Sequence, residues 1–271
     1  MFKIYHIAYR VLLNCCLLLG GTLITSAQGK TDSATALLNS MTPEQAEMLL
    51  QSVIKQFPPE QKSKIEETLR IIHLKEPEVK TLTLPGKKVS FVPLAHACTP
   101  EFYEAGKNIV SEHKASGYRV YYEELKKAQT QTPDGVDSFH LKLRKVVGVS
   151  PNRQTYKILQ KFFPNLVAQP AYKSLGVTES DLNADISVRQ MIDKYEAMYG
   201  KVNLTGCDFD TRLGTLVYPC DKLKNDLTPI VVNFRNEHVA GLIRSSEDEK
   251  ILVLYGARHI DGIMELLQRK Q

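Results

Sequence analysis

Two changes of hydrophobic period within one short stretch do most to limit the folds open to this chain. Val89, Phe91, Val92 and Leu94 make an apolar strand that stops at Ala95-His96. Pro100 then opens a helical pattern whose inward face is Phe102, Ala105, Ile109 and Val110, and Gly117 closes it. Residues 119–122 form a second strand, which ends at Glu123-Glu124. Strand, helix and strand in that order are the βαβ unit of a parallel sheet. The unit puts His96 and both glutamates at the C-terminal ends of strands, the edge at which open α/β sheets hold ligands.

The later sequence repeats the pattern. Residues 230–232 read as a strand and 235–244 as a helix. A clear strand over 250–255 runs into Gly256-Ala257-Arg258-His259, and a helix over 261–269 follows with Ile263, Leu266 and Leu267 inward. Between the halves, residues 138–199 read as mainly helical, with helices over 151–163 and 187–199 and Ser187 as an N-cap. Val167-Ala168-Gln169-Pro170 and Leu182-Asn183-Ala184-Asp185 read as capping and turn residues. The expected class is α/β, a mainly parallel sheet in two similar halves with flanking helices and a helical insertion. No linker interrupts residues 87–271, which are expected to form one domain. Residues 28–86 are expected to hold a spacer and a helical hairpin. Its first helix has Thr42-Pro43-Glu44 at the start and Ala46, Leu49, Leu50, Val53 and Ile54 on one face. Its second has Ile65, Leu69 and Ile72.

Residues 1–27 have the layout of a cleaved secretory signal, with Lys3 and Arg10 first, an apolar centre, and Thr25-Ser26-Ala27 last. Asn14 and Gly20-Gly21 interrupt the apolar stretch before it reaches the roughly 20 residues of a spanning helix. No stable span is expected after processing, and the protein is expected in the periplasm or the medium. With 43% hydrophobic and 24% charged residues the chain can bury a full core unaided, which excludes disordered and disulfide-stapled miniature classes. The net charge of +5 is too weak to predict a nucleic-acid partner. Beyond the leader, Cys98, Cys207 and Cys220 are an odd number, which in an exported chain suggests one bridge and one thiol outside it. Cys207 and Cys220 flank a turn-rich segment, and closing that loop would contribute about 3 kcal/mol.

His96 and His259 at strand ends, Glu123 or Glu124 at another, and Arg235-Asn236-Glu237 at a helix start make a candidate site. Imidazoles and a carboxylate suit a divalent cation such as zinc, manganese or cobalt, which would polarise a carbonyl or activate water. Without a metal, a histidine serves as general base and the arginine holds an anion. Strand alternation sends Glu123 and Glu124 to opposite faces and leaves open which one faces the site. His73 and His113 continue helical apolar faces, His140 and His238 have no paired feature, and Cys98 reads as a small buried residue.

Four blocks in order resemble the TraB/GumN proteins and their Tiki relatives. They are residues 89–96 followed by Pro100-Glu101-Phe102-Tyr103, residues 119–123, Arg235-Asn236-Glu237-His238-Val239-Ala240, and residues 254–262. The resemblance covers roughly Lys87 onward and implies a fold related to haem-binding ChaN and the erythromycin esterases. It implies an exported, metal-dependent hydrolase acting on a peptide or ester bond, with a peptide or small-molecule substrate. His96, Glu123 and His259 would hold the cation, and Arg235, Asn236 and Glu123, or Glu124 in its place, would serve catalysis. Pro93 stands where the family's first motif has glycine, which alters backbone approach to a ligand. The alternative is a non-catalytic protein that keeps the fold and binds a metal, haem or a peptide.

Overall fold

Side-chain alternation along the central strands decides which helices cover which face of the sheet. The computed structural model describes residues 40–55, 73–126, 138–148, 163–213 and 218–269, with isolated positions between them. The expected leader, the face Ile65, Leu69 and Ile72, and most of the helix expected over 151–163 lie outside the described residues.

In chain order the elements are α1 (Pro43–Ile54), β1 (Lys80–Leu84), β2 (Lys87–Leu94), β3 (Ala97–Cys98), α2 (Pro100–Ala115), β4 (Arg119–Tyr122) and α3 (Ser138–Val147). There follow β5 (Val167–Ala168), a 3-10 turn (Tyr172–Leu175), β6 (Leu182–Asn183), α4 (Val188–Tyr199) and α5 (Gly206–Asp210). A π-helical segment (Thr228–Phe234), α6 (Arg235–Ser245), β7 (Lys250–Gly256) and α7 (Ala257–Gln268) complete the set. The main sheet has the order β1-β2-β7-β4-β6, with β1 antiparallel to β2 and every other pairing parallel. β3 and β5 form a separate antiparallel pair. The molecule is an α/β protein with a mixed, mostly parallel sheet.

Val89, Phe91, Tyr121, Ile251, Val253 and Tyr255 face one side, where Val239, Ala240 and Ile243 of α6 and Ile260, Ile263 and Leu267 of α7 pack on them. Val92, Leu94, Val120, Leu252 and Leu254 face the other, against Phe102, Tyr103 and Val110 of α2. The strands are apolar on both faces because helices cover both, as parallel sheets require. A third cluster, around Ile192 and Tyr195 of α4, packs Val146 of α3 and Ile230 of the π-helical segment. Thr99 caps α2 by accepting from the Phe102 N–H, and Ser187 and Gln190 form a reciprocal capping box on α4.

The structure departs from the sequence expectations at several places. Residues 230–232 are π-helical rather than a strand, because Pro229 and the run into α6 keep the β-branched residues in a helix. Val167-Ala168 and Leu182-Asn183 are short strands, not turn residues. The final helix starts at Ala257, so His259 stands inside its first turn rather than ahead of it. The sheet also takes in residues 80–84, ahead of Lys87. Pro93 is accommodated because β1 pairs no further than Phe91, and beyond that point β2 has a ladder neighbour on one side only. Cys207 and Cys220 are bridged, with Cα atoms 5.9 Å apart. Cys98 is buried, its thiol pushed up to about 11 by desolvation, which leaves it a small core residue.

Candidate active site at the sheet edge

Where the parallel strands end, five polar side chains converge. Glu123 follows β4 in the phase of Tyr121, which turns it toward the face covered by α6 and α7. Asp185 follows β6, Arg235 and Asn236 begin α6, and His259 lies in the first turn of α7 beside the end of β7. All five are buried. The Arg235 guanidinium is the centre of the group: Nε donates to Asp185 Oδ1 at 2.9 Å, and Nη2 donates to Asp185 Oδ2 at 2.6 Å and to Glu123 Oε1. Its Nη1 donates to His259 Nε2 at 3.3 Å. His259 in turn gives its Nδ1 proton to Asn236 Oδ1 at 2.6 Å, which fixes the neutral tautomer with the lone pair on Nε2. The Tyr255 hydroxyl donates to Asp185 Oδ1 at 2.9 Å, and its ring meets His259 edge to face at 5.0 Å.

Burial alone would raise the Glu123 pKa, but the Arg235 charge beside it and the Gly256 N–H, which donates to Oε2 at 2.5 Å, outweigh desolvation. The carboxyl is held at about 2, charged at any physiological pH. Desolvation dominates at His259 and lowers its pKa to about 4, so the ring is neutral there. Burial drives the Tyr255 and Tyr172 hydroxyls well above the ordinary range, and neither ionises.

Two glycines make the close approaches. A Cβ on Gly256 would lie 3.0 Å from Glu123 Oε2, and one on Gly262 would lie 2.4 Å from Asn236 Nδ2. Gly262→Ala is therefore expected to push Asn236 off His259 and to cost about 1–3 kcal/mol, measured as a lower urea midpoint. An unchanged midpoint would mean that the Asn236 amide moves aside freely.

Glu123 alone of the five opens onto a pocket of about 900 Å³, together with His96, Glu124, Tyr122, Tyr172 and Lys173. His96 is exposed at its mouth, where its carbonyl accepts from the Gln169 N–H at 2.8 Å. Glu124 is exposed on the wall, so the buried network takes Glu123. His259, Arg235 and Asn236 stand behind Glu123 and do not line the pocket. His238 is half-buried on α6, outside the network, and His113 lies against Tyr118 at the far end of α2. Asp185 is the member that sequence reasoning did not place in the site; its one signal was a polar residue between Ala184 and Ile186, both wholly buried.

Compared with protein-family models, curated proteins and solved structures, the chain matches none. The site's own geometry therefore carries the functional reading. Between His259 and Glu123 that geometry does not suit the expected cation. His259 Nε2 and Glu123 Oε1 are 4.0 Å apart, but Arg235 donates to both atoms and already supplies the positive charge there. A divalent ion held by that pair would have to displace the guanidinium from Glu123 Oε1 and His259 Nε2. Nor do the described residues include a group of three or more His, Cys, Asp or Glu side chains arranged to hold a metal ion. Among them, too, no helix is long and apolar enough to cross a membrane.

Proposed function

We propose that the chain is an exported hydrolase of the TraB/GumN type that cuts a peptide or ester bond with a histidine base and no bound metal. The observation that carries this reading is the pocket in which His96 and a Glu123 held charged at neutral pH stand together at the C-terminal ends of β2 and β4. Strongly shifted ionisable groups in a cleft are the mark of a functional site. The leader and the Cys207–Cys220 bridge support export, since such bridges persist in oxidising compartments. We also read the sheet as related to the ChaN and erythromycin-esterase fold, in two similar halves. In support, β2 and β7 are adjacent and parallel, pair Leu94 with Gly256, and each is followed within three residues by a histidine.

In this mechanism His96 takes a proton from a water molecule as its oxygen attacks the carbonyl carbon. Glu123 stands with His96 on the wall of the same pocket, on the side from which the water would approach. As the tetrahedral intermediate collapses, the carbonyl carbon's bond to nitrogen or alkoxide oxygen breaks, and His96 returns the proton to the leaving group. Arg235 is a positioning residue: its guanidinium hydrogen bonds hold Glu123, Asp185 and His259 in place.

The second reading is a binding protein that keeps the fold and holds a peptide, haem or a metal without turnover. Pro93, in the position of the family's glycine, favours it. One set of assays separates these readings, using a panel of peptides and esters with wild type and His96→Ala, with and without chelator. Turnover that survives the chelator and falls about 100-fold in His96→Ala, at an unchanged melting temperature, is the expected result. Wild-type turnover in the variant sinks the His96 mechanism. Binding without turnover across the panel establishes the second reading. One equivalent of a transition metal in wild type, lost in a His96→Ala/His259→Ala double variant, would restore the cation.

A further inference from the structure

We infer that the Cys207–Cys220 bridge is a thiol-reducible latch, which holds α5 down on α3 when closed and releases it when opened. This goes beyond the hydrolase reading and uses none of its residues.

α5 docks without an apolar anchor. Of its five residues Asp208 alone is buried, and Phe209 is 55% exposed. A helix this short does not hold its shape by itself, and no buried hydrophobic side chain of its own compensates. What fastens it to the fold is polar. The Asp208 carboxylate accepts from Lys145 Nζ at 2.7 Å, from the Tyr218 hydroxyl, and from the Thr205 N–H and hydroxyl at 2.7 and 2.8 Å. The Asp208 and Thr211 carbonyls accept from the two terminal nitrogens of Arg144, at 2.5 and 2.7 Å.

That polar dock is out of balance. Arg144, Lys145 and Asp208 are all buried, so two cations meet one carboxylate. Arg144 Nε is buried with no hydrogen-bond partner among the described residues, and its guanidinium rests over the Tyr218 ring at 5.1 Å. Buried ion pairs return little beyond the solvation they lose, and an unpartnered buried donor is a further cost. The bridge tips the balance, because it removes much of the freedom that α5 would gain by leaving α3. It is also within reach: Cys207 is exposed, whereas Cys220 is buried. Exposed bridges are the ones that exchange with thiols.

The reductant is a dithiol. One of its thiolates attacks the Cys207 sulfur, the S–S bond breaks, and Cys220 leaves as a thiolate that takes up a proton. The second thiol then displaces Cys207, which also leaves and is protonated, and the dithiol ends as a cyclic disulfide. Two electrons and two protons have passed to the protein. With the constraint gone, α5 lifts, and Asp208, Arg144 and Lys145 regain water. An oxidising compartment closes the latch again.

The test is amide hydrogen exchange on the full chain, read peptide by peptide before and after millimolar dithiothreitol without denaturant. Alkylation of a separate sample counts the thiols, and two new ones are expected. Exchange across residues 205–211 is expected to rise about 100-fold, the scale of the lost loop constraint, while β2 and β7 exchange as before. Lys145 should become reactive toward an amine-acylating reagent, and oxidised glutathione should reverse both changes. Cys207→Ser/Cys220→Ser is expected to show the fast exchange with or without the dithiol. Should that variant fail to fold, reduction of the folded wild type reads the same state. A bridge that resists the dithiol until urea is added overturns the inference, as does an opened bridge with unchanged exchange in α5. Acceleration in β2 and β7 as large as in α5 overturns it too, since the bridge would then staple the whole fold.

Discussion

Arg235→Met is expected to destabilise the protein by about 3–5 kcal/mol, the cost of leaving buried charges without their partner. The guanidinium answers four heavy-atom contacts inside the fold, and its removal leaves Asp185, wholly buried, with the Tyr255 hydroxyl and the Ile186 N–H as donors to its carboxylate among the described residues. Among the described residues Glu123 would keep the Gly256 N–H as its hydrogen-bond donor. Methionine fills much of the same volume, so the loss reports charge rather than packing. Urea denaturation of wild type, Arg235→Met, and a triple variant with Glu123→Gln and Asp185→Asn added is the measurement. Recovery of much of the loss in the triple variant is expected, since its buried groups are neutral. A single-variant loss below about 1 kcal/mol, the scale of an exposed ion pair, would show that the carboxylates find other partners.

Acidification is the second large effect. His259 is depressed to about 4 in the fold from an ordinary 6.5, so between those values the unfolded chain binds a proton that the folded chain refuses. Stability is thus full above pH 6.5 and falls by on the order of 3 kcal/mol as pH drops to 4. Glu123 is depressed as well, and its contribution, present above its ordinary value of 4.5, is lost as pH falls below that toward 2. Asp181 and Asp208 are lowered too and add to the acid limb, whereas His238 is lowered and shares the upper window. Urea midpoints at pH 7, 5.5 and 4 should show the slope, and His259→Gln should remove most of it above pH 4. An identical slope in that variant would place the titration elsewhere.

The sheet core was legible because its signals are local. The runs Val89–Leu94 and Ile251–Leu254 are mostly apolar with β-branched residues among them, Thr99 and Ser187 are caps, and the Cys207–Cys220 spacing suits a short closed loop. Glu123 was legible as a strand-end residue, and His259 as a residue close behind a strand, although it lies inside the helix that follows. What escaped depends on distance. Glu123 and Arg235 are 112 positions apart, and no local pattern announces that a guanidinium lies where a cation was expected. Asp185 earns its place only through Arg235, 50 positions later, and read locally it is a turn residue. Ile230-Val231-Val232 has the composition of a strand, but the packing of Ile230 against α4 and the unbroken run into α6 override it.

The sheet order carries a consequence for how the molecule is made. β7 lies between β2 and β4, so these two earlier strands, which frame the pocket, are not paired with each other. During synthesis, each waits with an unpaired central edge while more than 120 further residues are added after Glu123. Contacts of such long range form late and slowly, and open strand edges invite pairing with other chains. The final strand acts as a keystone, and until it arrives those two edges have no partner in the sheet.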